Sequence, residues 1–394
     1  TSAAKIRKHQ FSMKILHYFP TTRLSQGRTV RAAIDFCTVL ARRGHDVVWA
    51  TADETDVPEP WKKGDSKCPA VHMLGPLNAV KRLSKHQLAE IETLAKNADV
   101  AHLHAMWDLS NPQVAKVCKR TNTPWVLSVH GMLDDWSMSQ RKLKKIIYLA
   151  TAGRILAHNS TIFHTTAEEE KRQAARWLKH DNIAVIPCIV DLDPYQEVPD
   201  PTMAFEAYGK VDEPTILFLS RVHEKKSIET LIDATLILKE RGLLIRLFIA
   251  GTGEQSYIES LQQRAKTTGV EEEVTFLGMV VGDLKLSLYA MADVFALPTQ
   301  QENFGLVYAE AMLCETPVIG TKGTDIWREL EEGGACIVER TPEVFADAIE
   351  RLITDSELAI SKGKSGRKKM LEWLDTNLVC KQVETMYQSA INTP

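Results

Sequence analysis

No stretch of this sequence runs uncharged and apolar for the roughly 20 residues that a membrane-crossing helix needs. Cys-x-x-Cys is also missing. The seven cysteines stand far apart, at 37, 68, 118, 188, 314, 336 and 380. Their odd number and wide spacing argue against a disulfide framework and a zinc ribbon, and point to buried reduced thiols. An excess of either charge is missing too. Lys and Arg number 48 against 51 Asp and Glu, a net charge of -3, so no basic field awaits a nucleic acid. Residues 1–10, TSAAKIRKHQ, hold no apolar stretch suited to a signal peptide, and a cytoplasmic location is the expectation. Low-complexity tracts and short repeats are absent. The composition is that of a globular protein with a sizeable core, 44% hydrophobic and 25% charged. At about 150 residues per domain, 394 residues suggest two domains.

Short apolar strands alternate with amphipathic helices along almost the whole chain. Strands are predicted at 13–19, 46–51, 100–103, 125–129 and 161–165, with helices at 28–43, 112–121 and 167–179. The helix at 28–43 ends on Arg42, Arg43 and Gly44, cations and then glycine, as a helix C-terminus favours. The pattern restarts after a proline-bearing segment at 187–214, read as an interdomain linker without periodicity. Strands then follow at 215–220, 245–250, 274–277, 294–297 and 318–321, with helices at 228–241, 254–268, 282–291 and 304–314. Alternating β and α elements imply parallel sheets with helices on both faces. The expected fold is α/β: two facing Rossmann-like domains, residues 1–190 and 191–374, with a deep ligand cleft at the carboxyl ends of both sheets. A last helix at about 375–394, apolar at Val379, Val383, Met386 and Tyr387, is expected to return to the first domain.

The segment QQENFGLVYAEAM, residues 300–312, carries the most chemistry. On one straight helix Glu302 and Glu310 would lie about 12 Å apart along the axis and roughly 80° apart around it. Taken alone, two glutamates on one helix are usually a solvated face. A functional geometry places Glu302 before the helix, Asn303 as its N-cap, and Gly305 where a ligand approaches the first turn. The free amides of Phe304, Gly305, Leu306 and Val307 then form an anion site between two carboxylates. That layout suits a nucleotide sugar, with hydroxyls at either end of a diphosphate. SRVHEKKS at 220–227 follows the first strand of the second half. It puts Arg221 and Lys226 in the strand-to-helix turn where such folds hold phosphate, with Lys225 solvated. His130 ends a strand beside Gly131, at the carboxyl edge of the first sheet. Gly27 precedes a helix, where its small size admits a phosphate.

Gly27, His130-Gly131, Arg221 with Lys226, the Gly251-Thr252-Gly253 turn and Glu302-x7-Glu310 occur in that order. Together they resemble retaining glycosyltransferase family 4, of GT-B fold, over the chain from about residue 13. HGMLDDWSMSQRKLKK, from His130, is similar to a group that builds lipopolysaccharide and other cell-surface glycans. The resemblance implies that Arg221 and Lys226 bind the donor diphosphate. It also implies that Glu302 contacts the transferred sugar, that Glu310 contacts the ribose, and that His130 faces the sugar near its anomeric centre. Gly27 and Gly253 would lie along the donor, and backbone near Met279 and Val280 would hold the base. Front-face transfer with retention follows, with no cofactor, no metal, and the leaving phosphate helping to deprotonate the acceptor. The implied partners are a nucleotide sugar (UDP-, GDP- or ADP-linked) and a glycan, lipid-linked or small-molecule acceptor.

The sequence departs from the family's pattern in three places. Arg28 stands where a second glycine is usual. Pro187-Cys188-Ile189-Val190-Asp191 replaces the usual Pro-Asn-Gly-Val-Asp. Ser227 replaces a common glycine. Asp191-Leu192-Asp193 forms a DxD string, a metal-binding motif elsewhere, but its linker position argues against that role. The basic–apolar run at 141–147 reads as a solvated face or as a peripheral contact with an anionic membrane. Competing readings are a sugar-nucleotide epimerase, a phosphorylase, and a two-lobed binding protein without catalysis. Neither Glu302-x7-Glu310 nor the Arg221/Lys226 pair is needed by the last of these.

Overall fold

The computed structural model describes residues 12–24, 28–210 and 212–393. Two compact units result, Thr1–Val190 with Thr376–Pro394, and Asp191–Asp375. The first unit carries a seven-stranded sheet. Its strands are β1 (Lys14–Tyr18), β2 (Asp46–Thr51), β3 (Ala70–Met73), β4 (Val100–His104), β5 (Trp125–Ser128), β6 (Ile162–Thr165) and β7 (Ile183–Val185). All pairs are parallel, in the order β3-β2-β1-β4-β5-β6-β7. The second unit has six strands: β8 (Thr215–Leu219), β9 (Arg246–Ala250), β10 (Val274–Gly278), β11 (Val294–Ala296), β12 (Val318–Thr321) and β13 (Cys336–Val338). Their order, β10-β9-β8-β11-β12-β13, is again all parallel. Each sheet reverses its winding beside its first strand, and ligands of open α/β sheets bind at the carboxyl edge of such a point.

The strands missed in the sequence are edges. β3, β7 and β13 are short, and their residues are half-buried or exposed, so they lack the continuous apolar run that marks a central strand. A second difference concerns the segment at 187–214. It is not free of structure: a helix occupies Thr202–Tyr208, Ala204 is buried, and its amide donates to Ser287 Oγ. The segment after Val190 therefore belongs to the second unit.

The C-terminal helix Thr376–Ile391 buries Val379, Val383, Met386 and Tyr387 in the core of the first unit, beside Ile15, Phe36 and Trp49. Arg43 and His45 donate to Glu384 on the same helix and fix its register. All seven cysteines are free thiols, and Cys37, Cys118, Cys314 and Cys380 are buried. No helix among the described residues is long and apolar enough to cross a membrane.

A polar seam runs through that core. His102 and His104, two residues apart on β4, point to the same face. Pairing sets His17 opposite His102, Ser128 opposite His104, and His164 opposite Ser128. The five side chains are buried between the sheet and the rings of Phe36 and Tyr387. Burial of unpaired imidazole nitrogens would be costly, so each finds a partner. His17 Nδ1 lies 3.0 Å from His104 Nε2, and His102 lies 2.7 Å from the Tyr387 hydroxyl and 2.6 Å from Ser128 Oγ. Ser128 Oγ is 2.5 Å from His164 Nδ1, whose Nε2 donates to Ile186 O.

Burial holds these rings neutral. It pushes His17 and His130 down to about 3 and His164 to about 4, and pushes His102 and His104 well below the usual range. The unfolded chain takes up protons near pH 6.5, while the folded chain does not do so until far lower pH. Stability is therefore full above the unfolded value and falls as the pH drops through it towards the folded values. From pH 7 to about 5.5 each such histidine removes about 1 kcal/mol, so five remove several. Denaturant unfolding at the two pH values checks this, and unchanged stability would contradict a neutral seam.

Candidate active site

The second unit gathers most of the residues singled out in the sequence. After β8 the chain enters a turn that carries Arg221 and Lys226. The turn is pressed onto the Gly251-Thr252-Gly253 segment that follows β9. A Cβ at Gly251 would lie 1.8 Å from Ser220 O, and one at Gly253 would lie 1.9 Å from Val222 O. Val222 N donates to Thr252 O. Only glycine permits this approach, so Gly253 shapes this turn. Ser227 has φ +50, the left-handed region that glycine occupies without strain. Its hydroxyl accepts from Gln300 Nε2.

Lys226 is buried, with 5% of its side chain exposed, and its ammonium donates to Glu302 Oε2. Arg221 is exposed, and its guanidinium makes no ion pair among the described residues. Lys225 is half-buried rather than solvated, and its carbonyl accepts from Gln300 N at 2.8 Å. His223 accepts from Lys225 N. Burial lowers its pKa, with the Arg221 charge adding to the effect.

Glu302 is fixed from behind. Its amide donates to Gly323 O, and its carbonyl accepts from Asp325 N. The helix it precedes runs Leu306–Leu313, and its N-cap is Gly305, at φ +62, not Asn303. Asn303 instead donates its side-chain amide to Asp325 Oδ2, while Gln301 donates to Asp325 Oδ1. Asp325 thus competes successfully for the Asn303 side chain that a cap would need. Phe304 is buried against Trp373, ring centroids 5.3 Å apart. Among the described residues, the amides of Phe304, Gly305, Leu306 and Val307 have no acceptor. At the positive end of a helix, beside an ammonium, such donors hold an anion.

Glu310, on the same helix, is not joined to Lys226. Its Oε1 accepts from Lys285 Nζ at 2.7 Å and its Oε2 from the Tyr289 hydroxyl at 3.0 Å. Both partners lie on the helix Gly282–Met291, one turn apart. That helix starts just after β10. There the Val280 side chain is buried while Met279 and Val281 are exposed, which leaves backbone as the means of contact.

In the first unit His130 lies two residues past the end of β5 with φ +52, followed by Gly131 at φ +72. The half-buried ring sets Nε2 3.2 Å from His104 Nδ1. Glu170 is buried and pins this turn by accepting from Gly131 N, Thr166 N and Thr166 Oγ1. Gly27 lies outside the described residues. Asp191 and Asp193 are exposed, and Asp191 accepts the amide of Asp193 in a local turn.

Sequence reasoning missed Lys285, Tyr289, Asp325 and Glu170. The i, i+4 spacing of Lys285 and Tyr289 was visible, but spacing alone does not say what a helix face meets. Tertiary folding brings Asp325 and Glu170 to their partners from 22 or more and 39 residues away, respectively.

Comparison with known proteins bears on the family and the fold. The model of Glycosyltransferase Family 4 matches residues 29–194, and that of Glycosyl transferases group 1 matches residues 202–369. A GDP-mannose-dependent alpha-(1-6)-phosphatidylinositol monomannoside mannosyltransferase of Mycobacterium tuberculosis is 29% identical over 63% of this chain and 64% of its own length. The match thus spans less than two thirds of that relative. A D-inositol 3-phosphate glycosyltransferase of Corynebacterium aurimucosum is 26% identical over 74% of this chain and 68% of its own. Among solved structures, HepE of Anabaena in complex with UDP superposes with a TM-score of 0.79 at 20% identity, covering 96% of this chain and all of that one. Two parallel sheets in this order, and two family models laid end to end, place the chain in glycosyltransferase family 4, with the GT-B fold.

Proposed function

We propose that the protein transfers a sugar from a nucleoside-diphosphate sugar to a hydroxyl of a lipid-linked, glycan or small-molecule acceptor, with retention at the anomeric carbon. The observation that carries this reading is the pairing of Lys226 with Glu302 beside four amides that lack an acceptor among the described residues. A diphosphate meets Lys226, Arg221 and those amides. Glu302 takes hydroxyls of the sugar, and Glu310 takes hydroxyls of the ribose. Each Glu310 oxygen already accepts one bond, and a carboxylate offers about four lone-pair sites, so room remains for ligand protons. The names of the mycobacterial relatives carry GDP-mannose, and the HepE structure holds UDP. The donor class is accordingly a UDP-, GDP- or ADP-sugar.

In the transfer step the bond from the anomeric carbon to the β-phosphate oxygen breaks. The acceptor oxygen bonds to that carbon from the same face, and its proton passes to the leaving phosphate. Charge grows on the phosphate as the bond breaks, and pre-placed cations and amides stabilise it there. No metal ion or cofactor is required in this scheme.

The helix Lys142–Ala150 supports a peripheral contact with an anionic membrane, where a lipid-linked acceptor would reside. Leu143, Ile146 and Ile147 are exposed along one face. Arg141, Lys142 and Lys144 flank them in solvent. Lys145 turns inward, donating to Ser137 O and lying over the Trp107 ring.

Two outcomes are expected. Lys226→Ala lowers turnover by about 10²–10³ and also lowers the melting temperature, because it removes the ammonium that pairs with Glu302. Lys226→Ala with Glu302→Gln recovers the melting temperature but not the turnover, and Lys225→Ala stays near wild type in both. These assays run in excess EDTA; activity that disappears there and returns with magnesium or manganese would contradict the metal-free scheme. In co-sedimentation, the protein should bind vesicles rich in anionic lipid and not neutral ones, and Leu143→Glu with Ile147→Glu should abolish binding. Equal recovery with both vesicle types would remove the membrane contact from the account.

A further inference from the structure

Five histidines of the first unit, His17, His102, His104, His130 and His164, join in one continuous chain of hydrogen bonds. It begins at Ile186 O, passes through His164, Ser128, His102, Tyr387, His17 and His104, and ends at His130. The successive distances are 2.9, 2.5, 2.6, 2.7, 3.4, 3.0 and 3.2 Å. No carboxylate or cation bonds to any of the five rings among the described residues.

Seven links join eight groups, and the seven side chains carry one exchangeable hydrogen each when neutral. One hydrogen is available per link. A carbonyl only accepts, so His164 must spend its proton on Ile186 through Nε2. Its Nδ1 is then an acceptor and takes the Ser128 hydroxyl hydrogen. Ser128 Oγ in turn accepts from His102 Nε2, and His102 Nδ1 accepts from the Tyr387 hydroxyl. Tyr387 accepts from His17 Nε2, His17 Nδ1 from His104 Nε2, and His104 Nδ1 from His130 Nε2. The direction of every bond follows from the one carbonyl at the far end. His17, His102 and His104 cluster closely enough to suggest a metal site. All six of their ring nitrogens are spent on these bonds, so the proton chain accounts for them.

We propose that this chain sets the tautomer of His130, keeping its proton on Nε2 and leaving Nδ1 as a lone-pair acceptor for a ligand hydroxyl. The second half of that statement rests on the glycosyltransferase reading, whereas the first does not. His130 Nδ1 has no partner among the described residues. A neutral acceptor fixed at that point admits a ligand O–H and rejects a ligand acceptor oxygen. Ser128 and Tyr387 are positioning residues, since they act on the ligand through His130. Tyr387 lies on the C-terminal helix, so that helix helps to define the chemistry of a strand-end residue about 250 positions earlier in the chain.

The test is the tautomer itself, read by long-range proton–nitrogen NMR on wild-type protein labelled at histidine, with single His→Gln variants for assignment. All five rings are expected to show a protonated Nε2 and a bare Nδ1 at pH 7, and still at pH about 5.5. A proton on Nδ1 of His104 or His130, an imidazolium at either, or stoichiometric bound zinc would overturn the proposal. Tyr387→Phe removes one hydrogen and one acceptor from the middle of the chain. His164 should keep its single tautomer because its carbonyl anchor remains, while His130 should become a mixture. A variant that merely loosens the core would disturb both alike. Should Tyr387→Phe not fold, the wild-type spectrum still decides. With a donor in hand, Tyr387→Phe should lower kcat/KM for the donor by about tenfold, the worth of one hydrogen bond, with the acceptor KM unchanged. Expected tautomers without turnover on any sugar nucleotide would overturn the functional reading and the ligand role drawn from it, and would leave the tautomer chain standing.

Discussion

A lysine ammonium with only 5% of its side chain exposed requires a counter-charge, and the Lys226–Glu302 pair supplies it. Much of the second unit's site is arranged around that requirement. Gly251 and Gly253 let the turn after β8 settle close enough to bring Lys226 inward. Gly323 O and Asp325 N fix the backbone of Glu302, and Asp325 gathers Gln301 and Asn303 so that the segment before the helix cannot swing away. Phe304 against Trp373 closes the same segment from its apolar side. The site is thus pre-organised before any ligand arrives, which is what electrostatic stabilisation of a leaving phosphate demands. Holding a charge pair at low exposure costs desolvation, and its persistence beside acceptor-free amides is the reason to read it as a binding feature.

The first unit applies the opposite strategy. Its strand-end residue His130 is set by neutral groups rather than by charge. Five imidazoles, one serine and one tyrosine satisfy each other in a core that would otherwise be apolar. Such a network has direction as well as strength, because each neutral ring both accepts and donates. Anchoring one end on a carbonyl makes the other end chemically defined. The cost falls on acid stability, since every ring must stay uncharged.

The central strands were legible because buried parallel strands read as continuous apolar runs, as in TILFL of β8 and VFA of β11. The edges β3, β7 and β13 were not, because a half-buried strand of three or four residues has too few apolar positions to stand out. Lys226 and Glu302 were legible through their placement in a strand-to-helix turn and before a helix. That they touch was not, since 76 residues separate them. Asn303 illustrates the limit of local rules. By residue type it is a good cap, yet a tertiary partner, Asp325, takes its side chain and leaves Gly305 at the helix start. Within the histidine seam, the alternation of His102 and His104 on one strand was visible. The register that sets His17, Ser128 and His164 beside them is a property of the folded sheet, and single-sequence periodicity does not carry it.

The central claim is that the second unit holds a nucleoside diphosphate across Lys226 and the amides of residues 304–307. Direct binding of UDP, GDP and ADP, measured by calorimetry and thermal shift without divalent metal, tests it most plainly. The account predicts that one of the three binds at one site per chain. At about 100 times the dissociation constant it should stabilise the protein by about 2.7 kcal/mol, with binding lost in the Lys226→Ala, Glu302→Gln variant. Binding of none of the three, or binding that the double variant leaves intact, would contradict it.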